Sequence, residues 1–319
     1  MDKNIYLNIL DKIKSANKIL VVTHENPDGD ALSSSCAIIE LLKSLNKKYS
    51  AYCFNKPPYQ FDFLPNVEKF TTNKNNFESF DLIITLDCGA LNRTKLEDEI
   101  NNRNKNQTVI NIDHHIKMDD FADIELKNTK ATSTAEIVYD LFEENKIIIN
   151  KNIANCILTG ILTDTGNFLY PSTSQKSVKI SSEMLSKGAR LPKIMENTWR
   201  NKSLASMKIW GKAMSRLRIN KKYNFAFSVL TKKDIAESEA DEEELEGIVG
   251  FLSNLNNVKG VMLLREQPNN VIKGSLRTSC PDVDVAKLAQ SLGGGGHVKA
   301  SGFKIEGTLI QKNNTYKII

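Results

Sequence analysis

The sequence lacks the features that mark membrane proteins, secreted proteins and proteins that bind long nucleic acids. It has no apolar run of transmembrane length and no signal-peptide pattern at its N-terminus. Its five cysteines are widely spaced and form no Cys-x-x-Cys pair, which is typical of free thiols in a reducing compartment. It also has no arginine- or lysine-rich block of the kind that grips a long strand. These absences predict a cytoplasmic protein without a membrane or long nucleic acid as its partner.

The composition is that of a globular protein with room for two domains. The chain has 319 residues, of which 40% are hydrophobic and 25% are charged. Its formal net charge of +5 is mildly basic, which suits a phosphorylated substrate without requiring one. Histidine is scarce, and all four residues lie in turn-rich or glycine-rich stretches. They are His24, His114, His115 and His297.

One stretch organises the first half of the chain. The apolar run 19–22 predicts a buried strand, and the apolar spacing over 31–45 predicts a helix. Between them lie His24, Asp28 and Asp30, on a turn that contains proline and glycine, and Asp30 is also able to cap the helix. An imidazole and two carboxylates at the carboxyl end of a strand favour a cation site.

Further predicted strands and one helix are also followed by acidic or imidazole residues. The apolar runs 81–87 and 108–112 predict strands, and 153–163 predicts a buried helix. The acidic and imidazole residues at their ends are Asp87, Asp113, His114, His115 and Asp164. Several strands that release such side chains at their carboxyl ends predict an open parallel α/β sheet with a ligand site along that edge.

Six of these residues together favour a site for two metal ions. They are His24, Asp28, Asp30, Asp87, His114 and Asp164. Four carboxylates crowded together repel one another unless cations are bound, and two divalent ions with one bridging aspartate relieve that repulsion. Mixed carboxylate and imidazole ligands suit Mn²⁺ better than Mg²⁺ or structural Zn²⁺. The alternative is that these residues are separate helix caps and turn residues, which explains Asp30 or Asp87 singly but not the set.

The second half has a different pattern. Residues 225–230, 258–265 and 271–278 predict strands, the last two joined by a turn, and 241–253 and 283–292 predict helices. Four glycines then precede His297, and a last strand follows the segment 300–303. The glycines indicate a backbone that approaches a ligand closely. Arg277, at a strand end, is a candidate phosphate ligand, with a surface ion pair as the alternative.

These motifs, in this order, resemble those of the DHH phosphoesterase family. The matching segments are 24–31, 86–89, 113–115 and 160–166, and 293–297 with Ala300 and Gly302 resembles the signature of the associated DHHA1 domain. The resemblance implies an α/β fold, with an N-terminal DHH domain over 1–188 whose mainly parallel sheet is flanked by helices. A helical connector over 189–218 and a smaller C-terminal α/β DHHA1 domain over 219–319 would follow.

The length resembles that of the small stand-alone members, the NrnA-type nano-RNases and pAp phosphatases. The resemblance implies an enzyme that hydrolyses short RNA oligonucleotides to mononucleotides and 3′-phosphoadenosine 5′-phosphate (pAp) to AMP, as a monomer or homodimer. Two Mn²⁺ ions would be the cofactors, with Mg²⁺ or Co²⁺ as substitutes. A cyclic-di-AMP or pApA phosphodiesterase is the alternative, and cyclic or linear dinucleotides are then the substrates. A non-enzymatic nucleotide-binding protein is disfavoured because every expected ligand is present.

The resemblance also implies a role for individual residues. One metal would be held by His24, Asp28 and Asp87, and the second by Asp30, Asp87, His114 and Asp164. His115 and Asp113 would be catalytic, with His115 facing the scissile phosphate. The substrate-binding residues would be Arg277, Gly294, Gly295, Gly296, His297 and Arg93. Ser33 stands where the family usually has glycine, and its side chain is expected to narrow the approach to the helix N-terminus.

Overall fold

The computed structural model describes residues 3–74, 76–200, 202–242, 244–312 and 315–319. The chain forms two compact units, Met1–Asn201 and Lys202–Ile319, which are described separately below. No helix among these described ranges is both long and apolar enough to cross a membrane.

The first unit contains a six-stranded sheet in which every strand pair is parallel. Its strands are β1 (Lys18–Thr23), β2 (Lys48–Tyr52), β3 (Phe70–Thr71), β4 (Leu82–Leu86), β5 (Thr108–Asp113) and β6 (Ile124–Lys127). Its helices are α1 (Lys3–Ser15), α2 (Gly29–Ser44), α3 (Glu97–Asn101), α4 (Thr134–Glu144), α5 (Lys151–Asp164), α6 (Gln175–Ser186) and α7 (Leu191–Thr198). The strand order is β3-β2-β1-β4-β5-β6.

Both faces of this sheet are buried, which explains the continuous apolar strands. In β1, Ile19 and Val21 join the larger core with α1, α2, α4 and α5, whereas Leu20 and Val22 join a smaller core on the other face. Alternate side chains of one strand therefore enter opposite cores, so an apolar residue is favoured at every position. The helices α2 and α5 pack closely, because Gly160 of α5 leaves room for the buried Ser33 of α2.

The second unit is also an α/β structure, built on a mixed sheet. Its six-stranded sheet has the order β11-β12-β10-β9-β8-β7, and β8 and β9 are its parallel pair. The strands are β7 (Arg218–Asn220), β8 (Phe225–Leu230), β9 (Gly260–Gln267), β10 (Val271–Arg277), β11 (Gly295–His297) and β12 (Ala300–Glu306), with a hairpin of β13 (Leu309–Lys312) and β14 (Thr315–Ile318). The helices are α8 (Leu204–Ser215), α9 (Lys232–Ser238), α10 (Ile248–Leu252) and α11 (Val285–Ser291). The predicted fold class is confirmed.

Two helix predictions differ from the structure. The predicted helix over 241–253 is helical only from Ile248, because Gly247 lies in the left-handed region (φ +86°) just before it. The predicted helical connector over 189–218 contains two helices, α7 and α8, since Ser203 accepts a hydrogen bond from the Ser206 N–H and starts α8 as a separate element. The boundary between the two compact units falls between these helices. The short edge strand β6 was not predicted.

Candidate metal centre and active site

The candidate site lies at the carboxyl ends of the central strands of the first unit. β1 and β4 are neighbours, but the chain leaves them toward opposite edges of the sheet. In open parallel sheets such a reversal opens a crevice, and ligands bind there. His24 and Asp28 follow β1, Asp87 follows β4, and Asp113 ends β5.

The turn after β1 differs in one detail from the prediction. Asp28, not Asp30, caps α2, because its Oδ1 accepts hydrogen bonds of 3.1 Å from the N–H groups of Asp30 and Ala31. Gly29 is needed between them, since a Cβ there would lie 2.5 Å from the Thr163 side chain. Asp30 is thereby placed in the first turn of α2, where its buried side chain does not cap the helix.

His24 presents one nitrogen to the acidic cluster. Its Nδ1 lies 2.6 Å from the Glu25 carbonyl oxygen, so this nitrogen carries the proton and donates it. The Nε2 is buried without a hydrogen-bond partner, 3.7 Å from Asp28 Oδ2 and 3.8 Å from Asp87 Oδ2. A nitrogen lone pair that faces two carboxylates has no donor to satisfy it, and a divalent cation among the three would satisfy all of them.

Asp87 belongs to both of the ligand groups that the sequence predicts. Ligand atoms of His24, Asp28 and Asp87 lie within 4.8 Å of one another, and so do those of Asp30, Asp87 and His114. The Asp87 backbone is left-handed (φ +59°), a conformation that costs about 1 kcal/mol or more for a residue other than glycine. Its two oxygens point to different partners, since Oδ2 faces His24 and Oδ1 lies 3.5 Å from His114 Nε2. This geometry suits a bridging carboxylate.

Asp30 is held by the N-terminus of α4. Its Oδ2 accepts a 2.6 Å hydrogen bond from the Thr134 N–H, and its Oδ1 accepts one of 2.9 Å from the Ala135 N–H. The Thr134 hydroxyl also donates to Asp87 Oδ1 at 2.8 Å. Thr134 and Ala135 are absent from the predicted site. The Ser-Thr-Ala-Glu sequence at 133–136 is typical of a helix start, but nothing in it indicates that this helix end points at Asp30.

Burial and the negative charges of neighbouring carboxylates shift the pKa values of the aspartates in this cluster. Burial, and then the charges of neighbouring aspartates, raise the pKa of Asp30 well above its usual range. Burial first, and then Asp87 and Asp28, raise the pKa of Asp164 to about 7, although His114 opposes the shift. Desolvation within the cluster also acts to raise the pKa of Asp28, but the nearby His24 ring and the hydrogen bond from the Ala31 N–H outweigh it, and the net shift is downward. Uncompensated negative charge of this kind fits a site for divalent cations.

His115 is held in place by Asp113. The Asp113 Oδ1 lies 2.8 Å from His115 Nδ1 and accepts a 2.9 Å hydrogen bond from the His115 N–H, while its Oδ2 accepts one from the Gly89 N–H. Burial lowers the pKa of His115, but bonds to Asp113 and Asp87 outweigh it and raise that pKa to about 10. Since Asp113 is fully buried and both its oxygens accept bonds from the chain, it orients and charges His115 rather than facing a substrate.

Arg93 lies beside the same residues. It belongs to a short 3-10 helix, Leu91–Thr94, and its Nη1 is 3.0 Å from the position that a Cβ on Gly89 would take. The His115 ring is 3.6 Å from that same position. Gly89 (φ +71°) thus separates a guanidinium from an imidazole at the edge of the acidic cluster.

The remaining predicted substrate residues lie in the second unit. Arg277 at the end of β10 pairs with Ala300 of β12, and Ala300 pairs with His297 of β11. A Cβ on Gly294 would lie 2.1 Å from the Gly302 carbonyl oxygen, and Gly296 (φ +135°) is similarly close to β12, whereas Gly295 faces open space. Close strand packing therefore explains two of the three glycines without a ligand.

Ser33 does not narrow the approach to α2. It is completely buried, and its Oγ lies 2.6 Å from the position that a Cβ on Gly160 would occupy. The side chain fills space between α2 and α5, so that expectation was wrong.

Comparison with known proteins agrees with these features. The model of the DHH family, N-terminal domain, matches residues 18–161, and that of the DHHA1 domain matches 220–318. A bifunctional oligoribonuclease and PAP phosphatase NrnA of Thermus thermophilus is 29% identical over 91% of this chain and 84% of its own length. The protein of the same name from Bacillus subtilis is 26% identical, over 93% of this chain and 92% of its own.

A solved structure gives the same result. The crystal structure of an exopolyphosphatase-related protein from Bacteroides fragilis superposes with a TM-score of 0.89 at 30% sequence identity, covering 96% of this chain and 92% of that one. This chain therefore belongs to the DHH phosphoesterase family and carries that family's N-terminal domain followed by a DHHA1 domain.

Proposed function

We propose that this chain is a Mn²⁺-dependent phosphoesterase that hydrolyses RNA oligonucleotides of a few residues to mononucleotides and converts pAp to AMP. The single observation that carries the proposal is the shared position of Asp87 between two groups of potential ligands. Relatives named as oligoribonucleases and PAP phosphatases, aligned over most of this chain, support the choice of substrates.

The donor set fits two divalent cations. His24, Asp28 and Asp87 would hold one, and Asp30, Asp87, His114 and Asp164 would hold the other. His114 Nε2 is 3.5 Å from Asp164 Oδ2, which supports Asp164 as part of the second group. Mixed imidazole and carboxylate donors without thiolates favour Mn²⁺ over Zn²⁺. When bound, a pair of such ions activates water and neutralises charge on a phosphoryl group.

The protein's own residues supply the remaining chemistry. His115 stays protonated beside Asp113 and offers its outer nitrogen to a phosphate oxygen or to the leaving group as a proton donor. Arg93 adds a permanent positive charge on the same side. The Thr134 hydroxyl holds the bridging carboxylate in a fixed orientation, as outer-shell donors commonly do in metal sites.

In the second unit, Arg277 and His297 would bind the rest of the substrate. Arg277 presents a planar fork of donors that suits phosphate oxygens. Gly295 leaves open space beside them, which gives a nucleotide room to approach the backbone.

The test is a turnover panel with Mn²⁺ that compares pAp, a 5′-phosphorylated RNA dinucleotide, a longer RNA oligomer and cyclic di-AMP. An Asp164→Asn variant purified in parallel controls for contaminating nucleases. Fast hydrolysis of pAp and the dinucleotide, falling with length and absent in the variant, is the expected result. Preference for cyclic di-AMP would instead assign the chain to cyclic-dinucleotide hydrolysis, and wild-type turnover equal to the variant's on every substrate would refute the proposal.

A further inference from the structure

A row of three cations crosses the sheet of the second unit. Lys273 of β10 pairs directly with Arg265 of β9 on one side and with Lys304 of β12 on the other. Directly opposed residues in antiparallel strands project from the same face with their Cβ atoms about 5 Å apart, so like charges there repel. The protein tolerates a repulsive arrangement in a part of the sheet where neutral residues would be more stable.

Among the described residues, few carboxylates lie close to the three cations of this row. The Arg265 side chain is buried, its terminal nitrogen pairs with Glu242, and its Nε has no hydrogen-bond partner. Glu242 and Glu246 are the carboxylates that act on Lys273, yet burial and the neighbouring cations leave the pKa of Lys273 below its usual value. Within the described ranges, neither Lys273 nor Lys304 has a carboxylate at ion-pair distance. Three cations with one ion-paired carboxylate among the described residues leave a net positive charge here, which an anion from outside the chain would offset.

The row lies on the same face of the sheet as Arg277. Along β10, Lys273, Ser275 and Arg277 alternate with Ile272 and Leu276, which are buried in the core on the opposite face. Between the two cationic positions lies the pair Ser275 and Gly302, followed by Gly295 on the next strand. On β9 this face is covered, because Val261 and Leu263 are buried in a core with α8 and α10. On the other side of β10, a Cβ on Gly295 would meet open space, so an extended chain could lie along β12 and β11.

We propose that Lys273 and Lys304, supported by the charge of the buried Arg265, form a second phosphate subsite, which binds a further backbone phosphate of the RNA whose other end is held at Arg277. This inference rests on the proposed function, because it takes RNA as the substrate.

The spacing determines which substrates can reach the subsite. Lys273 and Arg277 are four residues apart on one strand, which is roughly 13 Å. Successive phosphorus atoms in RNA are joined by about six covalent bonds, which span roughly 7 Å when extended. Two nucleotide units are therefore needed to connect the two positions. A 5′-phosphorylated trinucleotide can occupy both, whereas pAp and a dinucleotide can occupy only one.

The test measures Kd by isothermal titration calorimetry with Mn²⁺ present, using slowly hydrolysed phosphorothioate RNA. The ligands are a 5′-phosphorylated trinucleotide and the matching dinucleotide. The variants are Lys273→Met and the exposed Lys304→Met, with Lys287→Met as the control. Lys287 is an exposed lysine on α11, which packs against the opposite face of the sheet.

We expect wild type and Lys287→Met to bind the trinucleotide on the order of tenfold more tightly than the dinucleotide, as one charge-assisted hydrogen bond would allow. Each subsite variant should lose most of this difference. Its slope of log affinity against log salt for the trinucleotide should fall by about 0.7, the value for one phosphate contact. Melting temperatures should not fall, because each variant removes a repelled charge.

Equal tri- and dinucleotide affinity in wild type, or a length preference that survives both variants, would overturn the subsite. Turnover of the unmodified RNAs separates this outcome from failure of the proposed function. Hydrolysis without any lysine-dependent length preference removes the subsite alone. Lysine-dependent binding without hydrolysis removes the proposed function and leaves a phosphate-binding surface.

Discussion

The first unit of this chain contains a cluster of carboxylates, whereas the second contains a row of cations, and the two groups are positioned differently. In the first unit, carboxylates are buried at strand ends and fixed by the chain's own donors, as Asp30 is by the first N–H groups of α4. In the second unit, cations range from buried Arg265 to exposed Lys304 along one row of the sheet, and their position depends on strand register. Under the proposed function, the first unit would perform the chemistry and the second would bind the substrate.

The largest effect should come from the shared carboxylate of the first unit. Asp87→Asn keeps a side chain that tolerates the left-handed backbone but removes the charge that the two proposed metal-binding groups would share. Turnover of every substrate should fall more than about 100-fold, beyond the usual loss for an outer-shell donor. Steady-state kinetics with Mn²⁺ measures this, with the exposed Asp62→Asn as the matched control. Loss on oligonucleotides alone would contradict a chemical role for Asp87.

A smaller effect on the same chemistry is expected from the donor that the sequence did not reveal. Thr134→Val removes the hydroxyl that bonds Asp87 but keeps the backbone N–H that bonds Asp30. Mn²⁺ affinity or activity should fall about 10- to 100-fold. Thr134→Ser restores the hydroxyl and should recover most of the loss. Equal defects in both variants would instead indicate that packing of the methyl group matters.

The third variant tests whether the second unit binds the substrate. Arg277→Met should weaken hydrolysis of a dinucleotide about tenfold, as expected for one charged hydrogen bond, but should spare a minimal aryl phosphate ester. The ester carries only the reacting phosphate, so it has no group for Arg277 to bind. Parallel kcat/KM values for the two substrates provide the measurement. Equal losses on both would show that the second unit contributes to the chemistry.

The smallest effect on activity is expected from an ion pair that only stabilises the second unit. Arg216 forms an ion pair with Asp234. Burial acts to raise the pKa of Asp234, but hydrogen bonds from Arg216 and Thr231 outweigh burial and lower this pKa from 3.8 to about 2. This stabilisation is present above about pH 4 and is lost as the pH falls toward 2. Asp234→Asn should cost about 2 kcal/mol of unfolding free energy at pH 7. Its melting temperature should then vary less than that of wild type between pH 4 and pH 2, by calorimetry.

Much of the first unit could be predicted from the sequence because its information is local. Apolar runs in β1, β4 and β5 predict strands, and distinctive ligands follow each one directly, so His24 and Asp87 are evident without coordinates. Contacts that depend on tertiary packing were not evident. Thr134 lies 104 residues from Asp30 and 47 from Asp87, and only the fold brings the start of α4 against them.

The second unit was predicted less completely, for a related reason. Its alternating strands were found, but the row formed by Lys273 exists only in the register of three strands. Surface lysines are common, and no local pattern distinguishes Lys304 from the rest. The glycines before His297 illustrate the reverse case, because Gly294 and Gly296 suggested a ligand and are explained by contact with β12.

The most direct test of the central claim is an anomalous difference map from crystals of this chain grown with Mn²⁺. The account predicts two peaks in the first unit, one among His24, Asp28 and Asp87 and one among the second group, with the Asp87 carboxylate between them. A single peak, or two peaks that do not share Asp87, would contradict the two-metal site.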